Sequence, residues 1–276
     1  MLLGYNSNGF AHHRLEDAIA ILAEIGYTSI AITIDHNVLN PFEPDLATRC
    51  DRLRALLEKH KLRCVIETGA RFLLDPRRKH QPTFLSPGVR EREHRIEFVA
   101  CAIEIAANLR ADAVSFWSGT PSEPAVDEAL WSRLIDACKF LSAKAMRRGV
   151  KLAFEPEPGM FIDTMAKYAE LVRRVDHPNF GLTLDVGHLH CMGELPIASH
   201  IHRYTDRLWN VHIEDIRHGV HDHLMFGEGE MDFPPILRAL RDIGYAGGVH
   251  VELSRHSHDA VNTARRALAF LQRLAV

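Results

Sequence analysis

The fold is indicated most clearly by two short apolar runs, Val150-Lys-Leu-Ala-Phe-Glu155 and Phe180-Gly-Leu-Thr-Leu-Asp185, and by the segment 164–175 between them. Each run has the length of one strand, whereas 164–175 (TMAKYAELVRRV) repeats its apolar residues with a helical period. A strand, a helix and a second strand in this order form a parallel βαβ unit. Both runs end in a carboxylic acid, so the stretch predicts a parallel sheet with acidic groups at its carboxyl edge.

The same alternation extends along the whole chain as eight strand and helix pairs. Strands are predicted at residues 2–5, 29–34, 63–67, 113–117, 151–155, 180–185, 208–214 and 248–253. Helices are predicted at residues 14–25, 45–60, 90–109, 127–148, 164–175, 197–204, 234–243 and 259–274. Gly26 and Gly149 directly follow two of these helices, and glycine is the usual residue after a helix C-terminus.

Eight such units predict an α/β fold, a single (β/α)₈ TIM barrel that forms one domain over residues 1–276. The length agrees, because this barrel typically takes roughly 250 residues. The alternative is an open doubly wound sheet, which usually carries a glycine-rich phosphate turn after its first strand. The residues at that place are Asn6-Ser-Asn-Gly9, which do not match G-x-G-x-x-G.

The charge balance argues against polyanionic partners. The formal net charge is -3, so no overall positive field would attract nucleic acid or an anionic membrane. The first residues contain neither a basic segment nor a long apolar stretch, and no signal peptide or membrane span is predicted there. We therefore expect a cytoplasmic protein. The five cysteines are widely and irregularly spaced, which predicts reduced, mostly buried thiols.

Four predicted strands end in residue types that bind metals: Glu155, Asp185, His212 and Glu252. The active site of this barrel lies at the carboxyl ends of its strands, where these groups can meet around one ion. A lone acid at such a place is more often a helix N-cap. Three carboxylates crowded together, however, repel one another unless a cation or protons compensate. The set predicts one divalent cation, preferably Mn²⁺, with Mg²⁺, Co²⁺, Fe²⁺ or Zn²⁺ as alternatives.

Five signatures occur in order along the chain: Phe154-Glu155-Pro-Glu-Pro-Gly159, Leu184-Asp185-Val-Gly-His188, Val211-His212-Ile-Glu-Asp215, Gly227-Glu-Gly-Glu-Met-Asp-Phe233 and Val251-Glu252-Leu253. With them, nearly the whole chain resembles the xylose isomerase-like barrel superfamily of sugar and sugar-phosphate isomerases and epimerases. In ketose 3-epimerases of this superfamily, the residues resembling Glu155 and Glu252 bind the metal and exchange protons with the substrate. The residues resembling His188 and Arg217 hold the substrate's oxygens. The resemblance implies the same roles here.

The chemistry agrees with these roles, because a cation that polarises a carbonyl lets a carboxylate remove the proton on the adjacent carbon. We expect proton transfer through a cis-enediolate, with Glu155 and Glu252 as the acid/base pair acting on a small sugar or sugar phosphate. Trp117 and Glu157 fall near predicted strand ends as candidates for substrate contacts or for supporting positions, and Trp117 would suit an apolar wall against a sugar face. Glu67, His36, His190 and Asp215 share that placement, with supporting roles expected. Isomerase or epimerase activity, and a homo-oligomeric state, stay open.

Three other functions are open at this point. A metal-dependent dehydratase or lyase on the same barrel begins with the same proton abstraction. An endonuclease IV-type phosphodiesterase would need further histidine ligands; the chain has 18 histidines, concentrated in its second half, but its acidic balance predicts no phosphate-binding stripe. A non-catalytic metabolite-binding protein would keep the pocket without turnover.

Residues 69–89 form the longest irregular segment of the chain. Five basic residues fall in it: Arg71, Arg77, Arg78, Lys79 and His80. They either gather over the barrel mouth as a lid that binds an anionic substrate, or form a solvated basic loop.

Overall fold

Strands buried on both faces explain the continuous apolar runs of the sequence. β2 (Ser29–Thr33) and β6 (Phe180–Asp185) are buried at every position. One face of such a strand points into the barrel and the other packs against helices, so apolar residues need not alternate with polar ones. The computed structural model describes residues 1–274, and residues 275–276 of the predicted domain 1–276 lie outside the described residues.

Within residues 1–274, eight parallel strands close into a barrel and two more form an antiparallel hairpin. The remaining barrel strands are β1 (Leu2–Asn6), β3 (Arg63–Glu67), β4 (Ala113–Phe116), β5 (Lys151–Phe154), β7 (Leu208–Ile213) and β10 (Gly248–Val251). The hairpin strands are β8 (Asp215–Arg217) and β9 (Val220–Leu224). The order around the barrel is β1-β10-β7-β6-β5-β4-β3-β2.

Helices follow the barrel strands and cover the outside of the barrel. They are α1 (Leu15–Ile25), α2 (Leu46–His60), α3 (Val89–Leu109), α4 (Asp127–Arg147), α5 (Met165–Val175), α6 (Val186–Cys191), α7 (Ile197–Arg203), α8 (Phe233–Asp242) and α9 (Ala260–Leu274). α1 ends at Gly26, whose left-handed φ of 112° lets its N–H bond back to the carbonyl groups of Leu22 and Ala23. α5 begins at Thr164, whose side chain accepts a hydrogen bond from the Lys167 N–H.

The predicted (β/α)₈ barrel is confirmed, and every predicted strand and helix end lies within two residues of an observed one. Two of the observed elements, the helix α6 and the β8–β9 hairpin, were not predicted from the sequence. α6 has only six residues, fewer than two turns, so it shows no helical period. The β8–β9 hairpin turns at His218 and Gly219, and its strands carry polar residues on partly exposed positions, so no apolar alternation marks it.

All five cysteines are free thiols, and four of them are buried. Burial raises the pKa of the Cys64 thiol to about 12, which makes it unreactive. None of the helices in residues 1–274 is long and apolar enough to cross a membrane.

Candidate metal centre

The four predicted metal ligands meet at the carboxyl end of the barrel. Asp185 is the last residue of β6 and pairs in register with His212 of β7. Glu155 and Glu252 directly follow β5 and β10. His212 Nδ1 is 2.9 Å from Glu155 Oε1, 3.0 Å from Glu252 Oε2 and 3.9 Å from Asp185 Oδ2. One ligand atom from each residue lies within 4.8 Å of the others, so one ion can contact all four.

The two carboxylate oxygens of Asp185 have different surroundings. Its Oδ1 accepts a 2.8 Å hydrogen bond from the His188 N–H and so caps α6. Its Oδ2 is buried and has no hydrogen-bond partner within residues 1–274. The helix-cap and metal-ligand interpretations therefore apply to different oxygens of one side chain. A buried carboxylate oxygen without a donor is destabilising unless a cation lies near it.

The cluster carries more negative charge than one imidazole can balance. Burial raises the pKa of Glu155 well above its usual range, although the His212 ring partly opposes this. Burial lowers the pKa of His212, but three surrounding carboxylates, Glu67 first, outweigh burial and raise that pKa well above its usual range. An imidazolium at His212 thus offsets only part of the carboxylate charge. A divalent cation would offset it more completely.

The donor set therefore fits a divalent cation. Three carboxylates and one imidazole are the oxygen and nitrogen ligands found at Mn²⁺, Mg²⁺, Fe²⁺ or Zn²⁺ sites. The side chains of Asp185 and His212 are 0% and 2% exposed, whereas that of Glu252 is 17% exposed. The cluster is thus closed on the barrel side and open on the side of Glu252.

A chain of buried hydrogen bonds orients His212 from within the barrel. His212 Nε2 lies 2.9 Å from Glu67 Oε1, which also accepts a 2.9 Å bond from Asn210 Nδ2. Asn210 Oδ1 accepts from His250 Nδ1 at 2.9 Å, and His250 Nε2 lies 2.8 Å from Ser29 Oγ. Because carboxylate and amide oxygens only accept, the Nε2–H of His212 points to Glu67. Its Nδ1 faces the Glu155 and Glu252 carboxylates, where a bound cation would take the place of the proton.

The cluster opens into a cavity of about 380 Å³. Trp117 and Glu157, the candidates for substrate contacts, line this cavity. Trp117 is 6% exposed, and the Arg95 guanidinium lies 4.3 Å from the centre of its ring. Burial raises the pKa of Glu157 to about 8, and the charges of Glu252 and Asp185 act in the same direction.

Asn8 holds Glu252 in place, although nothing in the sequence marks it. Its Nδ2 donates a 2.8 Å hydrogen bond to Glu252 Oε1, while Oε2 of the same carboxylate faces His212. Asn8 lies in the 3₁₀ turn Ser7–Phe10, directly after β1. Its sequence context is that of an ordinary loop asparagine, so only the closed barrel, which brings β1 beside β10, shows the contact.

The basic loop 69–89 agrees in part with each of its two interpretations. Three of its basic side chains line the cavity: Arg71, Lys79 and His80. Arg78 instead forms surface ion pairs with Asp75 and Glu91. Arg77 is exposed and is not among the residues that line the cavity. The loop therefore adds positive charge to the cavity from some of its residues only.

The structure separates the two residues expected to hold substrate oxygens. His188 lies in α6, is 4% exposed and lines the cavity. Arg217 is exposed at the end of β8, where its Nη2 lies 3.4 Å from the backbone oxygen of Glu228, outside the cavity lining. A different arginine, Arg255, lines the cavity and pairs with Asp222 of the hairpin. The position of Arg217 therefore gives its expected substrate role no support, because the hairpin carries it outward.

Two further histidines reach the cavity from the hairpin. His221 and His223 alternate along β9, so both point to the same face, and they line the cavity together with His188. Glu214 lies nearby, is 0% exposed, and neither of its carboxylate oxygens has a hydrogen-bond partner within residues 1–274. The sequence signal for the pair is a His-x-His spacing, which is informative only if the segment is known to be a strand.

The sequence profile of the xylose isomerase-like TIM barrel family matches residues 19–274. An inosose dehydratase from Lacticaseibacillus casei is 30% identical over 139 residues, which cover 44% of this chain and 46% of that protein. The chain thus spans about half the length of the inosose dehydratases it matches.

Two solved structures share the fold over nearly their whole length. A D-allulose 3-epimerase from Methylomonas sp. is 21% identical, with a TM-score of 0.79 over 99% of this chain and 96% of that one. The IolI protein with a bound zinc atom is 22% identical, with a TM-score of 0.80 over 100% of this chain and 98% of that one. At these identities the likeness shows the fold alone.

Proposed function

This chain belongs to the xylose isomerase-like TIM barrel family, and on that premise we propose that it is a divalent-metal-dependent isomerase or epimerase of a sugar or sugar phosphate. One observation carries the proposal. Two carboxylates, Glu155 and Glu252, both lie within 3.0 Å of His212 Nδ1 in a cluster that opens into a cavity. A D-allulose 3-epimerase with the same fold adds support.

The proposal requires one divalent cation, held by Glu155, Asp185, His212 and Glu252. When bound, it would stabilise negative charge that develops on a substrate carbonyl oxygen, an effect worth several kcal/mol. We propose Mn²⁺ as the preferred ion because carboxylates dominate the donor set. Zn²⁺ is the second choice, since the IolI protein holds zinc.

Glu155 and Glu252 form the acid/base pair in this proposal. One carboxylate removes the proton from the carbon next to the substrate carbonyl, and the other returns a proton. Return to the same carbon from the opposite face is epimerisation, and return to the neighbouring carbon is isomerisation. Asn8 fixes the Oε1 atom of Glu252, which leaves Oε2 free to face the cluster and the substrate.

The cavity lining suits a small polyhydroxylated substrate. A volume of about 380 Å³ falls in the range of small-molecule sites. Trp117 offers an aromatic wall, and Glu157 and His188 offer polar groups for hydroxyls. Arg71 and Lys79 add positive charge at the same cavity, which favours a substrate that carries a phosphate or carboxylate.

A metal-dependent dehydratase is the second candidate, favoured by the 139-residue match to inosose dehydratase. Removal of a proton next to a carbonyl also begins β-elimination, so the same residues would serve. The two reactions differ in their products. Elimination releases water and lowers the mass of the product, whereas isomerisation and epimerisation conserve mass.

The proposal is tested by incubating the metal-loaded protein in D₂O with a panel of ketoses, aldoses, their phosphates and inososes, followed by NMR and mass spectrometry. We expect deuterium on the carbon next to the carbonyl, because a carboxyl proton exchanges with solvent before it returns. Glu252→Gln should abolish turnover, and metal analysis of that variant must show that the ion is retained.

Each other outcome has a defined meaning. Product without carbon-bound deuterium, even at early conversion, would reject proton transfer in favour of a direct hydride shift. Product that has lost one water would replace the isomerase with the dehydratase. Metal binding with no turnover of any compound would point to a non-catalytic binding protein.

A further inference from the structure

Three imidazoles converge beside the candidate metal centre, and we call them the three-histidine cluster: His188, His221 and His223. His188 Nε2 is 3.0 Å from His221 Nε2, which is 3.1 Å from His223 Nε2. The rings come from two elements, α6 and β9. All three side chains line the cavity, so the nitrogens that meet are within reach of a ligand from solvent.

The protons available cannot satisfy both of these nitrogen contacts. His188 Nδ1 lies 3.2 Å from the Pro156 carbonyl oxygen, which only accepts, so Nδ1 carries the proton and Nε2 is bare. His221 Nε2 must then donate its proton to His188. Once it donates, it has no lone pair for His223, and a bare His223 Nε2 would have to share the same proton. A cation that accepts three lone pairs removes this conflict.

Two buried carboxylates lie beside the three-histidine cluster. Glu214 Oε2 is 3.9 Å from His223 Nδ1, and Asp185 Oδ2 is 3.5 Å from His188 Nε2. Neither carboxylate oxygen has a hydrogen-bond partner in the described part of the chain. Buried carboxylate oxygens beside a bare imidazole nitrogen form a site rich in lone pairs, which a bound cation would stabilise.

We propose that the three-histidine cluster binds a second divalent cation, adjacent to the first. Zn²⁺ is the expected ion, because three imidazoles with one open position are a common zinc arrangement. Asp185 is one of the four ligands of the first site, and its Oδ2 lies 3.5 Å from His188 Nε2 of the three-histidine cluster. The two ions would therefore share the Asp185 carboxylate. The open position faces the cavity, where it would take a water or a substrate oxygen.

This proposal changes the role expected for His188 from a substrate contact to a metal ligand. It goes beyond the proposed function and does not depend on it, because the site is defined by its ligand atoms and not by a reaction. Its test accordingly measures bound metal rather than turnover.

The experiment titrates metal-depleted protein with Zn²⁺ alone, by calorimetry and by elemental analysis after dialysis. We expect about two ions per chain for the unchanged protein and about one for His221→Ala and for His223→Ala, with the affinity of the lost site reduced more than about 100-fold. His218→Ala is the matched control, because His218 lies exposed on the same hairpin outside the cluster. It should keep both ions. Circular dichroism confirms that each variant is folded.

Glu155→Gln separates the two sites. If the proposal holds, this variant keeps an ion that a second change, His223→Ala, then removes. One ion per chain in the unchanged protein, or two ions in both folded hairpin variants, would overturn the second site. If Glu155→Gln has no effect while His223→Ala removes an ion, the second site stands and the first centre, with the function built on it, fails.

Discussion

Glu67 does not belong to the four-residue cluster, yet it determines which nitrogen of His212 faces that cluster. Its Oε1 accepts hydrogen bonds from both His212 and Asn210. A carboxylate behind a ligating imidazole fixes the ring and makes it a better donor. We therefore expect metal affinity to depend on a residue that does not contact the metal.

Replacing Glu67 by glutamine should weaken binding of the first cation by about 10- to 100-fold. The amide keeps the shape of the side chain but loses its charge, and its NH₂ group competes with the donors of His212 and Asn210. Calorimetric titration with Mn²⁺ measures the effect. Glu24→Gln, at an exposed acid of α1, is the control and should bind as the unchanged protein does. Equal affinity in a folded Glu67→Gln protein would contradict this role.

Single residues differ in how far the sequence could predict them. Glu155, Asp185, His212 and Glu252 share a recognisable position at strand ends, and in a parallel barrel such positions converge. The position of Arg217 could not be predicted in this way. Its distance from His212 along the chain does not show that a hairpin turns its side chain outward. The contact of Asn8 with Glu252 could be recognised only in the closed barrel, because the two residues are 244 positions apart in the sequence.

The short helix α6 links the candidate metal centre to the hairpin. Asp185 caps its first turn, and His188 projects from it into the cavity. Gly187, between them, packs directly against Glu214, and a Cβ atom there would overlap Glu214 Oε1 and lie 3.3 Å from Asp185 Oδ1. The absence of a side chain at this position thus lets the helix and the Glu214 carboxylate pack together.

Gly187→Ala should destabilise the fold by about 1–3 kcal/mol, because the added Cβ would force the buried Glu214 carboxylate to shift. Chemical denaturation of the variant measures this change in the free energy of unfolding. A double-mutant cycle with Glu214→Ala identifies the cause, since removal of the carboxylate should relieve the overlap. Strictly additive effects of the two substitutions would show that the clash is not the reason.

The sequence predicts regular elements well and irregular ones poorly, for a physical reason. Long helices such as α3 and buried strands such as β6 repeat a pattern that burial imposes. The six residues of α6 and the five of β9 are shaped by contacts with distant residues. The sequence showed that histidines are concentrated in the second half of the chain. That His221 and His223 lie on one face follows only from the strand geometry of β9, which no local sequence pattern predicts.

The whole barrel carries three carboxylates at one point of its interior, which lowers the stability of the metal-free protein. Like charges in a buried site repel, and one imidazolium balances them incompletely. A cation that binds only the folded chain shifts the equilibrium toward it. Stability should therefore depend on the metal more than on any single contact in the cluster.

Metal removal should lower the melting temperature. At a free metal concentration of about 100 times Kd the cation adds about 2.7 kcal/mol, or roughly 5–10 °C for a chain of this size. Differential scanning calorimetry of chelator-treated and Mn²⁺-reloaded protein measures the shift. Asp185→Asn should lose most of it, because Asp185 is one of the four ligands and its Oδ2 has no other partner in the described residues. The same melting temperature with and without Mn²⁺ would count against a cation at this centre.

The hydrogen bonds that connect Ser29 with His212 converge on the Glu67 carboxylate. Burial lowers the pKa of His250 to about 3, so its ring is neutral, and a proton on Nδ1 leaves Nε2 to accept from the Ser29 hydroxyl. From Ser29 to Glu67 each donor fixes the orientation of the next acceptor, and His212 donates to the same Glu67 oxygen from the other side. Hydrogen bonds therefore connect the closed base of the barrel with its open end, and they orient the His212 imidazole in the absence of an ion. A substitution of Ser29 made to improve packing would therefore also alter the candidate metal centre at the other end of the barrel.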